Sequence, residues 1–321
     1  MLTSHVKPGG VAVLYYPDPR PDSVLAIGDF NGWRYPGIPM NRINNGWQVE
    51  IPGIPVGELR YKFIVDGNWV SDPNNVIKND DGNSIVYNRL GRGNVYHFNF
   101  WAPSIKKDRG YSIYLPPGYF HSDNHYSTIY LLHGLLDWEY TWVQRGFVHH
   151  TLDRLLREGK MGEVIVVMPR ENGEFFKGEG MYADYIFRDL VGHIDMEFKT
   201  IAHPGHRAID GLSTGGFAST VIGSSHPHIF SSIGGMSGSY DHRTFDSIKN
   251  HVDAIKRYNA RFYISCGEGD PSCGISGDLA EMIRSLGFEC EFYANPGPHD
   301  WEFWGPNVAG NIEFHWLSFQ K

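Results

Sequence analysis

The stretch "RAIDGLSTGGFAS", residues 207–219, decides how the chain is read. An apolar run ends at Gly211, a serine follows two residues later, and Thr214 opens a run of small and apolar residues with helical character. The pattern is G-x-S-x-G in the context of strand, tight turn and helix, which holds a serine hydroxyl out at the carboxyl end of a strand. Gly211 and Gly215 leave room for the bend, because a side chain at either position crowds the neighbouring element. The amide of Thr214 opens the helix and is placed to donate to a developing oxyanion.

A serine hydroxyl is a weak nucleophile until a histidine accepts its proton and an acid orients that histidine. With this elbow the chain order is serine, acid, histidine, each on a loop after a strand. "RFYISCGEGDP", residues 261–271, ends a strand in a loop carrying Asp270, and "CEFYANPGPHDWEFW", residues 290–304, ends the next in a loop carrying His299. Glu268 is the second choice of acid, whereas Asp241 precedes the strand that carries the expected acid. His226 and His228 sit at the end of the helix after the serine, and His242, His251 and His315 have no strand directly before them. The second oxyanion donor is expected after an early strand, and in "YLLHGLLDWEYTW", residues 130–142, it is the amide of Leu135. His133 precedes the serine, the wrong order for the base, so it is assigned to holding that loop. Trp138 and Trp301 are candidate walls of an acyl or sugar site, with Trp142 and Trp304 more readily assigned to the core.

Outward from the elbow, apolar runs alternate with helical patterns. "STIYLLHG" at 127–134, "EVIVVMP" at 163–169 and "SSIGGMSG" at 231–238 are separated by helices expected near 147–157, 182–199, from about 214, and near 277–286. Buried strands alternating with helices predict an α/β domain with a mostly parallel sheet covered on both faces. Before residue 95 the character differs: "GVAVLYY", "SVLAIG", "GWQVEIP" and "LRYKFIV" are short alternating runs between Pro, Gly, Asn and Asp clusters. They predict an all-β, immunoglobulin-like sandwich. The expected domains are 1–95 and 96–321.

Composition bounds the function. The 321 residues are 41% hydrophobic and 14% aromatic, enough to fill two cores, and the net charge of −8 with no basic run argues against nucleic acid or an anionic membrane as partner. No stretch is long and apolar enough to cross a bilayer, and the first residues lack a signal pattern, so a cytoplasmic location is expected unless a leader was removed. Cys266, Cys273 and Cys290 are too few for a disulfide framework and lie in no metal-ligand spacing, so reduced thiols are expected. "GEGMYA" at 178–183 follows a charged run rather than a buried strand, and "NDDGN" at 79–83 lacks the closing Glu of a calcium loop. Neither a cofactor nor a metal is expected. Asp184, Asp189 and Asp195 are read as the solvated face of the 182–199 helix.

From about residue 100 the chain resembles the esterase D-like branch of the α/β-hydrolases, which includes carbohydrate esterase family 1, enterochelin esterase and the mycolyltransferases. The resemblance is carried by "YLPPGY", "YLLHG", "GLSTGGFAS", "CGEGD" and "HDWEFW". It implies ester hydrolysis through Ser213, Asp270 and His299, with no metal or organic cofactor. Residues 10–90 are similar to carbohydrate-binding module family 48, found also in the AMP-activated kinase β subunit, through "LAIGDFNGW", "GWQVEIPG", "YKFIVDGNWVSDPNN" and "DDGNSIVYN". That resemblance implies sugar rings stacked on Trp33 and Trp69, with hydroxyls bonded by Lys62 and Asn83; packing between the domains is the other reading of the two tryptophans. Together these point to a serine esterase that acts through an acyl-enzyme on a carbohydrate-linked ester, such as a feruloyl or acetyl group on hemicellulose. A siderophore or thioester hydrolase, or a glycan-binding scaffold with an inert hydrolase domain, are the alternatives. The oligomeric state is not legible.

Overall fold

Short alternating runs become two antiparallel sheets in the N-terminal part of the computed structural model, which describes residues 3–7, 9–75, 77–88, 91–171 and 179–321. The strands are β1 (His5–Lys7), β2 (Val11–Tyr16), β3 (Val24–Gly28), β4 (Ile38–Pro39), β5 (Asn41–Ile43), β6 (Gly46–Ile51), β7 (Gly57–Val65), β8 (Asn68–Val70) and β9 (Ser84–Asn88). One sheet has the order β1-β2-β6-β5; the other has β4-β3-β7-β8, with β9 also paired to β7. Their inward faces share one core, to which Leu14, Trp47 and Val49 come from the first sheet and Ala26, Tyr61 and Phe63 from the second. This is the expected sandwich.

The chain divides into two compact units, Met1–Phe98 with Pro116–Asp123, and Asn99–Leu115 with Asn124–Lys321. A single division after residue 95 assigns 116–123 to the α/β domain, but Phe120 stacks on His5 at 4.2 Å and meets Tyr96 edge-on at 5.9 Å, which draws that segment to the first unit.

The later strands are β10 (Asn94–Ala102), β11 (Lys107–Leu115), β12 (Ser127–Leu132), β13 (Val164–Pro169), β14 (Arg207–Gly211), β15 (Ser232–Met236), β16 (Arg261–Gly267) and β17 (Cys290–Asn295). They form an eight-stranded sheet of order β10-β11-β13-β12-β14-β15-β16-β17. β11 and β13 are antiparallel, and every pairing from β13 to β17 is parallel. All residues of β12 to β16 are buried, so both faces of the central sheet are covered. Its helices are α1 (Thr141–Gln144), α2 (Val148–Arg157), α3 (Glu179–Asp184), α4 (Val191–Glu197), α5 (Thr214–Ser225), α6 (His242–Asn250), α7 (Val252–Arg257), α8 (Cys273–Ser285) and α9 (Trp301–Ser318). Among the described residues no helix is long and apolar enough to cross a membrane.

Several expectations change. The helix read over 182–199 is α3 and α4 joined through a π-helical stretch, Tyr185–Leu190. Its acidic side chains are not simply solvated: Asp189 accepts hydrogen bonds from the amide and hydroxyl of Ser104, and Asp195 pairs with Arg207 at 2.7 Å. Cys266 and Cys273 form a disulfide rather than free thiols, because the loop after β16 turns back at once into α8 and brings their Cα atoms to 5.3 Å, within bridging range. Cys290 remains a buried free thiol. The G-x-G-x-x-A segment begins at residue 178, outside the described residues.

Phe63 is fully buried in the sandwich core. Phe63→Ala is expected to destabilise the first unit by about 3–5 kcal/mol, since the ring's transfer energy is lost and a cavity is left. Urea denaturation followed by near-ultraviolet circular dichroism measures it.

Candidate active site

β14 ends against β12 and must turn sharply to start α5. A Cβ on Gly211 sits 2.6 Å from the carbonyl of Gly215, and one on Gly215 meets the backbone carbonyls of His133 and Leu132. Only glycine fits at either place. Between them Ser213 takes φ 53° and ψ −117°, a conformation that costs a non-glycine residue about 1–3 kcal/mol. It is held there by its amide, which donates to Met236 O at 2.9 Å, and by its carbonyl, which accepts from Ser239 N at 3.0 Å and Phe217 N at 3.1 Å.

The hydroxyl so placed faces the loops that follow β16 and β17, two and three strands away in the sheet. Ser213 Oγ lies 3.0 Å from His299 Nε2, and His299 Nδ1 lies 2.7 Å from Asp270 Oδ2. Asp270 also accepts from the amide and hydroxyl of Ser272, each at 2.7 Å. Burial pushes the Asp270 carboxyl up, but the nearby Ser237 hydroxyl, Ser272 and His299 outweigh it and hold the group below the usual carboxylate range. His299 projects from the N-terminal end of α9, which Asp300 caps by accepting from Glu302 N at 2.9 Å and Phe303 N at 3.3 Å. The three residues expected to act together are thus in one hydrogen-bonded chain.

The rejected candidates stand outside this chain of bonds. Glu268 is exposed on the same loop as Asp270. Asp241 caps α6 and pairs with Arg243 at 2.7 Å. His226 stacks on Phe187, and His315 is buried beside Asp210.

A cleft of about 360 Å³ opens over Ser213 and His299, lined also by Gly134, Leu135, Asp137, Arg145, Leu212, Asp300, Trp301 and Trp304. Leu135 is at its edge, and Thr214 begins α5 beside Ser213. His133 fastens the Leu135 loop: its Nδ1–H donates to Gly134 O at 2.8 Å and its Nε2 accepts from Glu171 N at 2.9 Å. Burial lowers its pKa, which suits that neutral tautomer. Of the expected aromatic walls, Trp301 lines the cleft and Trp138 does not, being stacked on Tyr140 beneath the Arg170 guanidinium. Trp304 also lines the cleft, edge-on to His299 at 4.9 Å, while Trp142 is buried and donates to Leu132 O. Asp137 and Arg145 were not anticipated: burial raises the Asp137 carboxyl, and Arg145 stands 3.9 Å from it and 5.7 Å over the Trp301 ring. Two lone charges eight residues apart carry no recognisable spacing.

On the first unit, Trp33 and Trp69 present near-parallel rings, 6.5 Å between centroids and 12° between planes. Trp33 Nε1 donates to Asp29 at 2.9 Å, and Arg60 Nε donates to the other oxygen of that carboxylate at 3.0 Å. Lys62 Nζ reaches Asp81 O at 3.1 Å on the turn that leads into Asn83, whose amide donates to Asn79. Trp69 is 51% exposed, so a flat ligand has access to it.

Comparison with known proteins agrees with both resemblances. The glycogen recognition site of AMP-activated protein kinase matches residues 17–90. An endo-1,4-beta-xylanase/feruloyl esterase of Xylanibacter ruminicola is 26% identical over 76% of this chain, which covers only 36% of that relative. An acetyl esterase of Caldicellulosiruptor saccharolyticus is 23% identical over 70% of this chain and 98% of its own length. A solved ferulic acid esterase superposes with a TM-score of 0.63 at 25% identity, over 71% of this chain and 99% of its own. The Putative esterase model spans residues 102–314, which include the serine, the acid and the histidine, and the chain belongs to that family.

Proposed function

We propose that the protein is a serine esterase that cleaves a carbohydrate-linked carboxylic ester, a feruloyl or acetyl group, through an acyl-enzyme. The observation that carries this reading is the hydrogen-bonded chain Ser213–His299–Asp270 at the floor of an open cleft. In this mechanism His299 Nε2 takes the proton of Ser213 as Oγ attacks the ester carbonyl, and Asp270 keeps Nδ1 protonated and the ring oriented. The amides of Thr214 and Leu135 receive the oxyanion, a contribution of roughly 3–4 kcal/mol per donor in comparable sites. His299 then returns its proton to the departing alcohol, and a water activated the same way releases the acid. Trp301 and Trp304, both buried, form part of the cleft wall that the acyl group or a sugar would meet. The names of the relatives support the feruloyl or acetyl choice.

A panel of nitrophenyl esters and methyl hydroxycinnamates tests the reading. Hydrolysis of at least one is expected, and none by the pure protein would favour an inert scaffold. Ser213→Ala is expected to cut turnover by about 10³-fold or more while the fold persists, with a residual rate from binding and the oxyanion hole. Parental turnover in that variant sinks the serine mechanism.

The acid is tested separately. Asp270→Asn is expected to lower kcat by about 10⁴-fold, through the wrong imidazole tautomer. Glu268→Gln should leave kcat within about threefold, as expected of an exposed side chain outside the chain of bonds. The reverse ranking moves the acid to Glu268.

For the first unit we propose glycan binding at Trp33, Trp69, Lys62 and Asn83. Each ring contributes about 0.5–1.5 kcal/mol beyond its buried area. Replacing both tryptophans by alanine is expected to abolish retention on a glucan or hemicellulose gel, with the melting temperature and small-ester turnover unchanged. A fall in melting temperature with no retention to lose identifies packing instead.

A further inference from the structure

Directly behind the elbow lies a second group of polar side chains that the reaction does not use. Asp210, Ser232, Asn311 and His315 are each at most 1% exposed. Asp210 Oδ1 accepts from Gly211 N at 2.6 Å, and Oδ2 accepts from Asn311 Nδ2 and His315 Nε2, each at 2.8 Å. With Nε2–H directed at the carboxylate, His315 Nδ1 is left to accept from Ser232 Oγ at 2.7 Å. Ser265 Oγ donates to Asn311 Oδ1 at 3.4 Å and closes the set. Gly234 on β15 is part of the same design, since a Cβ there would collide with the Asp210 carboxylate.

A carboxylate so deeply buried is tolerable only because three N–H groups face it, and such a network has essentially one low-energy arrangement. Its members sit on β15, through Ser232, and on the three elements that lead to or from the proposed catalytic groups. Asp210 is on β14, three residues before Ser213; Ser265 is on β16, five before Asp270; Asn311 and His315 are on α9, whose capping residue follows His299. α9 is one continuous helix from Trp301 to Ser318, with Pro306 in its second turn, so holding it at Asn311 and His315 restricts where its N-terminal end presents His299.

We propose that Asp210, His315, Asn311 and Ser232 are positioning residues that set the approach of His299 to Ser213. They touch no substrate and act through β14, β15 and α9. The proposal rests on the reading of Ser213 as nucleophile and His299 as base. A displacement of an ångström at the reacting atoms is enough to cost about two orders of magnitude in rate, so a device that removes slack between strand and helix acts on kcat and not on binding.

The test compares His315→Leu with His315→Gln, assayed with a nitrophenyl ester well below each melting temperature. His315→Leu keeps the bulk and loses both bonds; kcat is expected to fall at least about tenfold with KM within about twofold. Labelling of Ser213 by an alkyl fluorophosphonate should slow in parallel. His315→Gln restores an N–H toward Asp210 and is expected to recover kcat to within about threefold of the parent. Ile255→Ala, in the core beneath α7, supplies a comparable loss of melting temperature with kcat unchanged. Parental kcat in His315→Leu, or equal losses in the Leu and Gln variants, overturns the proposal. If His315→Leu does not fold, Ser232→Ala removes only one hydroxyl, and a loss of about threefold in kcat is expected, with no loss counting against the idea. Turnover that survives Ser213→Ala defeats the nucleophile assignment, whereas an inactive Ser213→Ala beside a fully active His315→Leu defeats the positioning role alone.

Discussion

Backbone presses on backbone where β14 passes into α5, and the rest of the site depends on that approach. Gly211, Gly215 and the carbonyls of Leu132 and His133 lie so close that no Cβ fits between them. The turn can close only with Ser213 in a strained conformation, which hydrogen bonds to β15 and to Ser239 offset. Once the turn is closed, the hydroxyl points past the carboxyl ends of the parallel strands. The loops after β16 and β17 then need to supply only one side chain each.

Placement alone does not make such a chain of groups work; their charge states must agree. Asp270 is shielded from water yet remains an acceptor, because hydroxyl and amide donors surround it on the sides that His299 leaves open. Burial lowers the pKa of His133, which spends both ring nitrogens on the backbone, so it shapes the cleft and stands outside the proton transfer proposed for the serine. In the proposed mechanism the two histidines thus have opposite duties, decided by what each nitrogen faces.

The elbow and the order of its partners were legible because their chemistry forces a local pattern: glycines at fixed offsets, and acid and base at the ends of apolar runs. The choice of Asp270 over Glu268 became physical only with burial, since both lie on one loop and only Asp270 turns inward. α9 was not legible as a helix. It is apolar on most sides, with Trp301, Phe303, Trp304, Val308, Ile312 and Phe314 all buried, and it contains Pro306, so it shows neither a clean stripe nor an unbroken helical composition. The pairing of Cys266 with Cys273 and the meeting of Asp137 with Arg145 depend on how loops fold back, which no periodicity records. The same holds for Asp195, which reads as a surface acid until Arg207 on β14 is found beside it.

At the proposed glycan site, the setting of the Trp33 ring matters beyond its shape. Its indole nitrogen is bonded to Asp29, and Asp29 is in turn held by Arg60, so the ring is braced at its edge. Side chains that must be frozen on binding give back part of the contact energy as lost rotamer freedom. A ring fixed in advance forfeits little, and the orientation it presents is set by the fold and not by the guest. At the proposed glycan site this would favour a sugar face that already matches the ring's orientation.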